Sequence, residues 1–194
     1  MADKLEYPAK EALLISGEKV LFKLLEPADQ QALLNFFGQV SEQEAETLRH
    51  DVRDPETVAA WVRELDYHKV VPLLAFDEGA EAVVGAASLH LQQGVYRHVA
   101  DIRIMVSSEY RRLGLGSAMI KELVGVADRL RLHFIRAEIL SDNPLAIKAF
   151  RQLGFEVKCT LDDYFMSMSG KTRDVVLLVK RMLHSMEEDF FYVF

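Results

Sequence analysis

A chain of 194 residues, 50% of them hydrophobic, has enough material for one substantial core and is read as a single domain rather than two. Its 23 Lys and Arg are outnumbered by 30 Asp and Glu, and a net charge of -7 leaves no broad basic surface for a nucleic-acid backbone, so no nucleic acid is expected as a partner. The single cysteine, Cys159, excludes an internal disulfide framework and a multi-cysteine metal site, and it fits a reducing, cytoplasmic compartment.

The N-terminal stretch MADKLEYPAKEALL is charged throughout and lacks the apolar run of a signal peptide. No segment reaches the roughly 18 apolar residues of a membrane span, so no membrane partner is expected. Histidines at 50, 68, 90, 98, 133 and 184 show no helical metal-ligand spacing; core or surface roles are expected for them, and no metal.

In chain order, residues 1–16 read as a loosely attached arm or short helix, and residues 19–25 as a short apolar strand. Glu26-Pro27 is a helix-start signal ahead of Leu33, Leu34 and Phe37. Asp54-Pro55-Glu56 opens a second helix with Asp54 as its cap and Val58, Trp61, Val62 and Leu65 on one face. Residues 70–76, 82–91 and 99–106 are successive strands separated by turn residues at 77–79 and 93–94, which predicts an antiparallel meander.

The pattern then alternates. A helix over 114–130, a strand over 133–140 and a helix from Asn143-Pro144 to Leu153 that stops at Gly154 imply a crossover and a parallel pair. Residues 157–160 and 175–181 supply the last strands. The expected class is α/β, with a single mixed antiparallel and parallel sheet of about seven strands and flanking helices. The domain is expected over 17–184, between the arm and a tail at 185–194 whose four aromatic residues could dock on the body or on a second copy in a homodimer.

The most informative stretch runs from Ile104 to Ser117: a strand, a short basic loop, and two glycines at the mouth of a helix. The first N–H groups of a helix have no partner within it and carry the positive end of its dipole, so an anion there completes their hydrogen bonding. Gly114 and Gly116 allow close backbone approach, and Arg111 and Arg112 add permanent cations. A P-loop would need Lys-Ser or Lys-Thr after its last glycine, but Ser117-Ala118 follow Gly116. The dinucleotide fingerprint fails as well, since its third glycine would fall at Met119 and residues 107–113 separate strand from glycines.

On these residues the sequence resembles the GNAT acetyltransferases: Arg111-x-x-Gly114-x-Gly116 matches the family's Arg/Gln-x-x-Gly-x-Gly/Ala signature for the coenzyme A pyrophosphate. A second block, Asn143, Ala146, Phe150, Gly154 and Phe155, falls at the spacing of the family's Asn-x-x-Ala segment, about 30 residues on. The likeness covers roughly residues 20–183, with the acetyltransferase domain of bacterial protein-lysine acetyltransferases as its nearest flavour.

The resemblance implies acetyl-CoA as cosubstrate and an amine as acceptor, either a protein lysine or a small molecule such as a polyamine, aminoglycoside or amino acid. A non-catalytic acyl-CoA sensor is the rival class. It also implies that Met105 and Val106 offer backbone hydrogen bonds to the pantetheine arm, that Arg111, Arg112, Leu113, Gly114, Leu115, Gly116 and Ser117 wrap the pyrophosphate, and that Asn143 and Phe150 meet the coenzyme. Asn143 also reads as a helix cap. Phe150 stands where many members carry a tyrosine that protonates the leaving thiolate; Tyr164, or water, is the substitute.

An alkyl ammonium must lose a proton before it attacks, and Asp101 is the candidate base. Strand alternation puts it on one face with Arg103 and Met105, and the competing reading is a surface Asp101–Arg103 pair. A water-mediated base, Glu138 or a carboxylate from residues 27–68, is the next candidate. Residues 27–68 and 161–173 are expected to line the acceptor side.

Overall fold

The structure is a computed structural model that describes residues 6–79 and 81–183; the tail and its docking role lie outside them. Strands β1 (Lys10–Leu13) and β2 (Lys19–Leu24) form a hairpin. Helices α1 (Gln30–Gly38), α2 (Glu42–Ala45) and α3 (Pro55–Arg63) follow, then the meander β3 (Val70–Phe76), β4 (Val83–Leu91) and β5 (Val99–Val106). The chain continues through α4 (Leu115–Arg129), β6 (Phe134–Leu140), α5 (Pro144–Gln152), β7 (Glu156–Met166) and β8 (Thr172–Arg181).

All eight strands lie in one sheet, in the order β1-β2-β3-β4-β5-β6-β8-β7. The strand beyond the expected seven is β1, four residues of the segment read as an arm; it pairs antiparallel with β2 from Lys10 opposite Phe22 to Leu13 opposite Lys19. Among the described residues β5 and β6 are the one neighbouring pair that runs parallel, joined through α4. The second crossover, through α5, leads to β7 at the edge of the sheet, and β8 inserts between β6 and β7 with antiparallel pairing on both sides. Non-local pairing of this kind leaves no local pattern in the sequence.

Alternation along the strands divides the core in two. Val71, Leu73 and Ala75 of β3, with Ala100 and Ile102 of β5, face α4 and α5, where Leu115, Met119, Leu123 and Val126 form the stripe of α4. Burying each of these long side chains fully contributes about 1.5–3 kcal/mol. The packing is tight enough that a Cβ on Gly85 of β4 would meet the Met119 sulfur at 2.7 Å. Leu74 and Phe76, pointing the other way, pack with Leu33, Phe36 and Phe37 of α1 and Val58 and Val62 of α3. Asp54 caps α3, accepting from the N–H groups of Glu56 and Thr57.

Candidate functional site

The parallel pairing of β5 with β6 is short. It runs from Val99 opposite Phe134 to Asp101 opposite Arg136 and stops there, while β5 continues to Val106 and stays paired with β4 as far as Val106 opposite Gly85. For its last five residues β5 therefore has a sheet neighbour on one side only. The two strands splay apart, and peptide groups of β5 lie free to bond a ligand.

A cleft of ≈ 740 Å³ opens over this point on the α1/α3 side of the sheet. Its floor includes Asp101 to Met105 of β5, Ser88 and His90 of β4, and Glu138 of β6. Asn143, Ala146 and Phe150 close one end, while Leu33, Phe37, Leu48, Val52 and Trp61 wall the other. The expected acceptor segments thus contribute, 27–68 through the last five of these residues and 161–173 through Phe165 and Arg173.

The segment after α2 crosses this cleft as a strap held at three places. Glu44 is ion-paired with Arg111, the Ser169 hydroxyl donates to Glu46 at 2.5 Å, and Arg49 is ion-paired with Glu138. Hydrogen bonds from Ser41 and then Arg111 hold the Glu44 carboxyl below its usual value.

Asp101 is anchored rather than free. Its carboxylate accepts from Arg136 Nε at 2.7 Å and Nη2 at 3.0 Å, and from the Gln92 amide at 2.7 Å. The partner is the residue opposite in the parallel register, Arg136, and not Arg103 two positions along, so the expected Asp101–Arg103 surface pair does not form. Three of the roughly four acceptor positions of the carboxylate are taken. Glu138 is bonded through Oε2 only.

Two histidines left unassigned by the sequence face the same cleft. Burial, and then Arg103, push His90 down to about 4, so its ring is neutral at pH 7; the Ser88 hydroxyl lies 2.9 Å from its Nε2. His50 is lowered by burial and by Arg103 and Arg49, and it meets the edge of Trp61 at 5.7 Å. The signal for His90 was legible: Ser88 and His90 are polar residues at period two in an otherwise apolar strand. His50 sits in an irregular loop and gave none.

The loop after β5 turns sharply. Arg112 takes φ 64 and Gly114 φ 93, and Gly114 caps α4 without a side chain, so Leu115, Gly116 and Ser117 occupy its first turn with N–H groups free of helical partners. A Cβ on Gly116 would find Val106 at 3.8 Å and Ile104 at 3.9 Å, ordinary contacts that a small side chain could make. At the foot of this loop the Ser107 hydroxyl is buried and has no hydrogen-bond partner among the described residues, and a ligand oxygen would satisfy it.

The Arg111 guanidinium is turned inward, donating to the Val106 carbonyl at 3.1 Å and pairing with Glu44. Arg112 is exposed, and Leu113 partly buried, on the loop. The cleft thus gathers Asp101, Met105, Asn143 and Phe150 of the expected site, whereas Val106 and the residues from Arg111 to Ser117 lie beyond its lining, at the splayed end of β5.

Asn143 fills its capping role, accepting from the Ala146 N–H at 3.2 Å, while also lining the cleft. Phe150 is buried edge-on against Phe155 at 4.9 Å. Tyr164 is 59% exposed on β7 and outside the cleft lining, whereas the neighbouring Phe165 lines the cleft. Tyr164 falls in the irregular stretch of β7 between Leu161 and Phe165, where the pairing with β8 shifts register.

Residues 34–155 match the acetyltransferase (GNAT) family. The chain belongs to the GNAT acetyltransferase family. Among curated proteins it is 37% identical over 84 residues to the L-amino acid N-acetyltransferase AaaT of Escherichia coli K12. That stretch is 42% of this chain and 52% of the relative, so it spans about half the length of the curated relative it matches.

Solved GNAT structures superpose over most of the chain. Ribosomal-protein-alanine N-acetyltransferase from Brucella melitensis is 26% identical with a TM-score of 0.72, covering 83% of this chain and 99% of its own. The yncA protein from Salmonella typhimurium, solved with its cofactor acetyl-CoA, is 19% identical with a TM-score of 0.72, covering 88% and 98%. The splayed end of β5, the glycine-capped first turn of α4 and the buried Ser107 hydroxyl all lie at the C-terminal end of β5.

Proposed function

We propose that this GNAT protein is an N-acetyltransferase that takes the acetyl group of acetyl-CoA and passes it to a small-molecule amine by direct attack in a ternary complex. The observation that carries the reading is the loss of β5–β6 pairing after Asp101, beside a glycine-capped helix start whose first-turn N–H groups have no helical partner. The first-turn N–H groups of α4, with Arg112 near, would hold the pyrophosphate, and the Val106 N–H, which points away from β4, would meet the pantetheine arm, while the Met105 peptide is paired with Ala86 of β4. The Arg111 side chain contributes by fixing the loop through Val106 and Glu44.

The amine enters from the side of α1 and α3, where the strap and the aromatic wall of Phe37 and Trp61 enclose the cleft. That enclosure favours a small acceptor over a lysine on a protein surface. A carboxylate on the cleft floor takes the ammonium proton, and the uncharged nitrogen then attacks the thioester carbonyl. Between the two acids, the uncommitted oxygen of Glu138 is better placed for this than Asp101, whose oxygens are engaged by Arg136 and Gln92. With Phe150 at the family's tyrosine position and Tyr164 facing outward, water supplies the thiolate proton.

Calorimetry with acetyl-CoA, coenzyme A, NAD and ATP tests the reading. The first two should bind at micromolar Kd and the others much more weakly. Binding of NAD without binding of acetyl-CoA would overturn it. Release of free thiol with an amine present separates an enzyme from a sensor.

A further inference from the structure

The charged side chains lining the cleft are paired, with one exception. Glu138 pairs with Arg49, Asp101 with Arg136, Asp142 with Arg173, Lys69 with Asp66, and Glu64 with Arg63. Arg103 has no carboxylate within ion-pair distance among the described residues. Its guanidinium is partly buried in the floor, and its Nη1 lies 3.4 Å from His50 Nε2, a neutral partner.

A guanidinium kept in a cleft without a counter-ion is costly, because burial removes water and nothing replaces it. Burial lowers the Arg103 pKa first and the neighbouring Arg49 lowers it further, while Asp101 and Glu138 oppose the shift from beyond contact. The position calls for an anion from outside, and the planar fork of arginine fits a carboxylate through two parallel hydrogen bonds.

Two neighbours narrow that anion's chemistry. An apolar wall flanks the guanidinium, with Trp61 edge-on to Phe37 at 5.4 Å and Leu33, Leu48 and Val52 beside them. In the other direction, Met105 is the next residue on the same face of β5, about 7 Å along the strand at the splayed end where the thioester lies. A carboxylate, an apolar group and an amine branching from one carbon would meet all three.

We propose, building on the acetyltransferase reading above, that the acceptor is an α-amino acid with an apolar or aromatic side chain, its carboxylate held by Arg103 and its side chain against Trp61 and Phe37. Polyamines are disfavoured by the same charge: they would bring a cation against Arg103 and Arg49. A protein lysine offers no carboxylate at the required distance from its amine.

The test compares L-leucine and L-phenylalanine with their carboxamides, with spermidine and with a lysine peptide, reading kcat/KM by thiol release. The free acids should exceed their amides by roughly ten- to a hundred-fold, as for loss of a charge-assisted pair. Arg103→Gln should raise the amino-acid KM by a similar factor and erase the difference between acid and amide, leaving the acetyl-CoA thermal shift unchanged. Amides as good as acids, a preference for spermidine or the peptide, or unchanged discrimination in Arg103→Gln would each overturn the proposal.

Calorimetry with N-acetyl-L-phenylalanine against its amide reads the subsite without turnover. Binding of the acid by a chain that does not bind acetyl-CoA would keep the subsite and remove the transferase reading. Binding of acetyl-CoA with no preference for the acid would do the reverse.

Discussion

Replacing Gly116 by Asp should uncouple stability from coenzyme binding. Gly116 is the second residue of α4 and has no positive φ, and a Cβ there meets nothing closer than 3.8 Å, so a side chain fits without strain. Removing a helical glycine gains about 0.5–1 kcal/mol, and a carboxylate in the first turn gains about 0.3–1 kcal/mol from the helix dipole. Against this stands the modest helix propensity of Asp, roughly 0.7 kcal/mol below Ala.

The net is a gain on the order of 0.5–1 kcal/mol, which for a domain of this size raises Tm by about 1–4 °C. The same carboxylate stands where phosphate oxygens must bind and opposes them by charge. In the native protein, acetyl-CoA at a hundred times its Kd should add about 2.7 kcal/mol, a rise of roughly 5–10 °C. Differential scanning fluorimetry of both proteins, with and without acetyl-CoA, should therefore show a variant that melts at or above the native temperature and no longer responds. A folded variant that keeps the full shift would refute the argument that the first turn of α4 holds the pyrophosphate.

Glu138→Gln should slow turnover by about 10²-fold or more with acetyl-CoA affinity retained, and Asp101→Asn should slow it less; the reverse order in steady-state kinetics would return the base role to Asp101. Tyr164→Phe should leave kcat within about twofold, because its ring lies outside the cleft, and a tenfold loss would contradict that placement. Acidification should destabilise the fold between pH 6.5 and 4. His90 is neutral in the folded state down to about 4 while the unfolded chain takes up the proton near 6.5, so its contribution is intact above 6.5 and is lost as the pH falls. The loss is on the order of 2 kcal/mol after allowing for solvent contact, and His90→Gln should flatten that part of a Tm-against-pH curve.

The helices and central strands were legible because their apolar residues recur at 3.6 or 2, as in α4 and in β3 to β5. Strand β1 was not, since its four residues present only one partly buried side chain and pair by virtue of the turn at Gly17. The sharp loop ahead of α4 was readable from glycine positions, which encode backbone geometry. Ion pairs were not: Asp101 finds Arg136 through the register of a parallel pair, and Arg111 finds Glu44 across 67 positions, distances at which a linear pattern carries no signal. The placement of Tyr164 was not readable either, because it falls where β7 departs from regular pairing with β8, between Leu161 and Phe165.

The unpaired edge of β5 bears on how this protein can change over time. A surface made of peptide N–H and C=O groups is handed down by the path of the main chain, not by particular side chains. Residues 104–106 can therefore drift among apolar types while the edge keeps its pattern of donors and acceptors. Proline is the exception, because it deletes a donor outright. Diversification of the acceptor then falls to residues whose side chains reach the cleft, such as Arg103, His50 and Trp61, where one substitution can redirect the chemistry without disturbing the carrier of the acyl group.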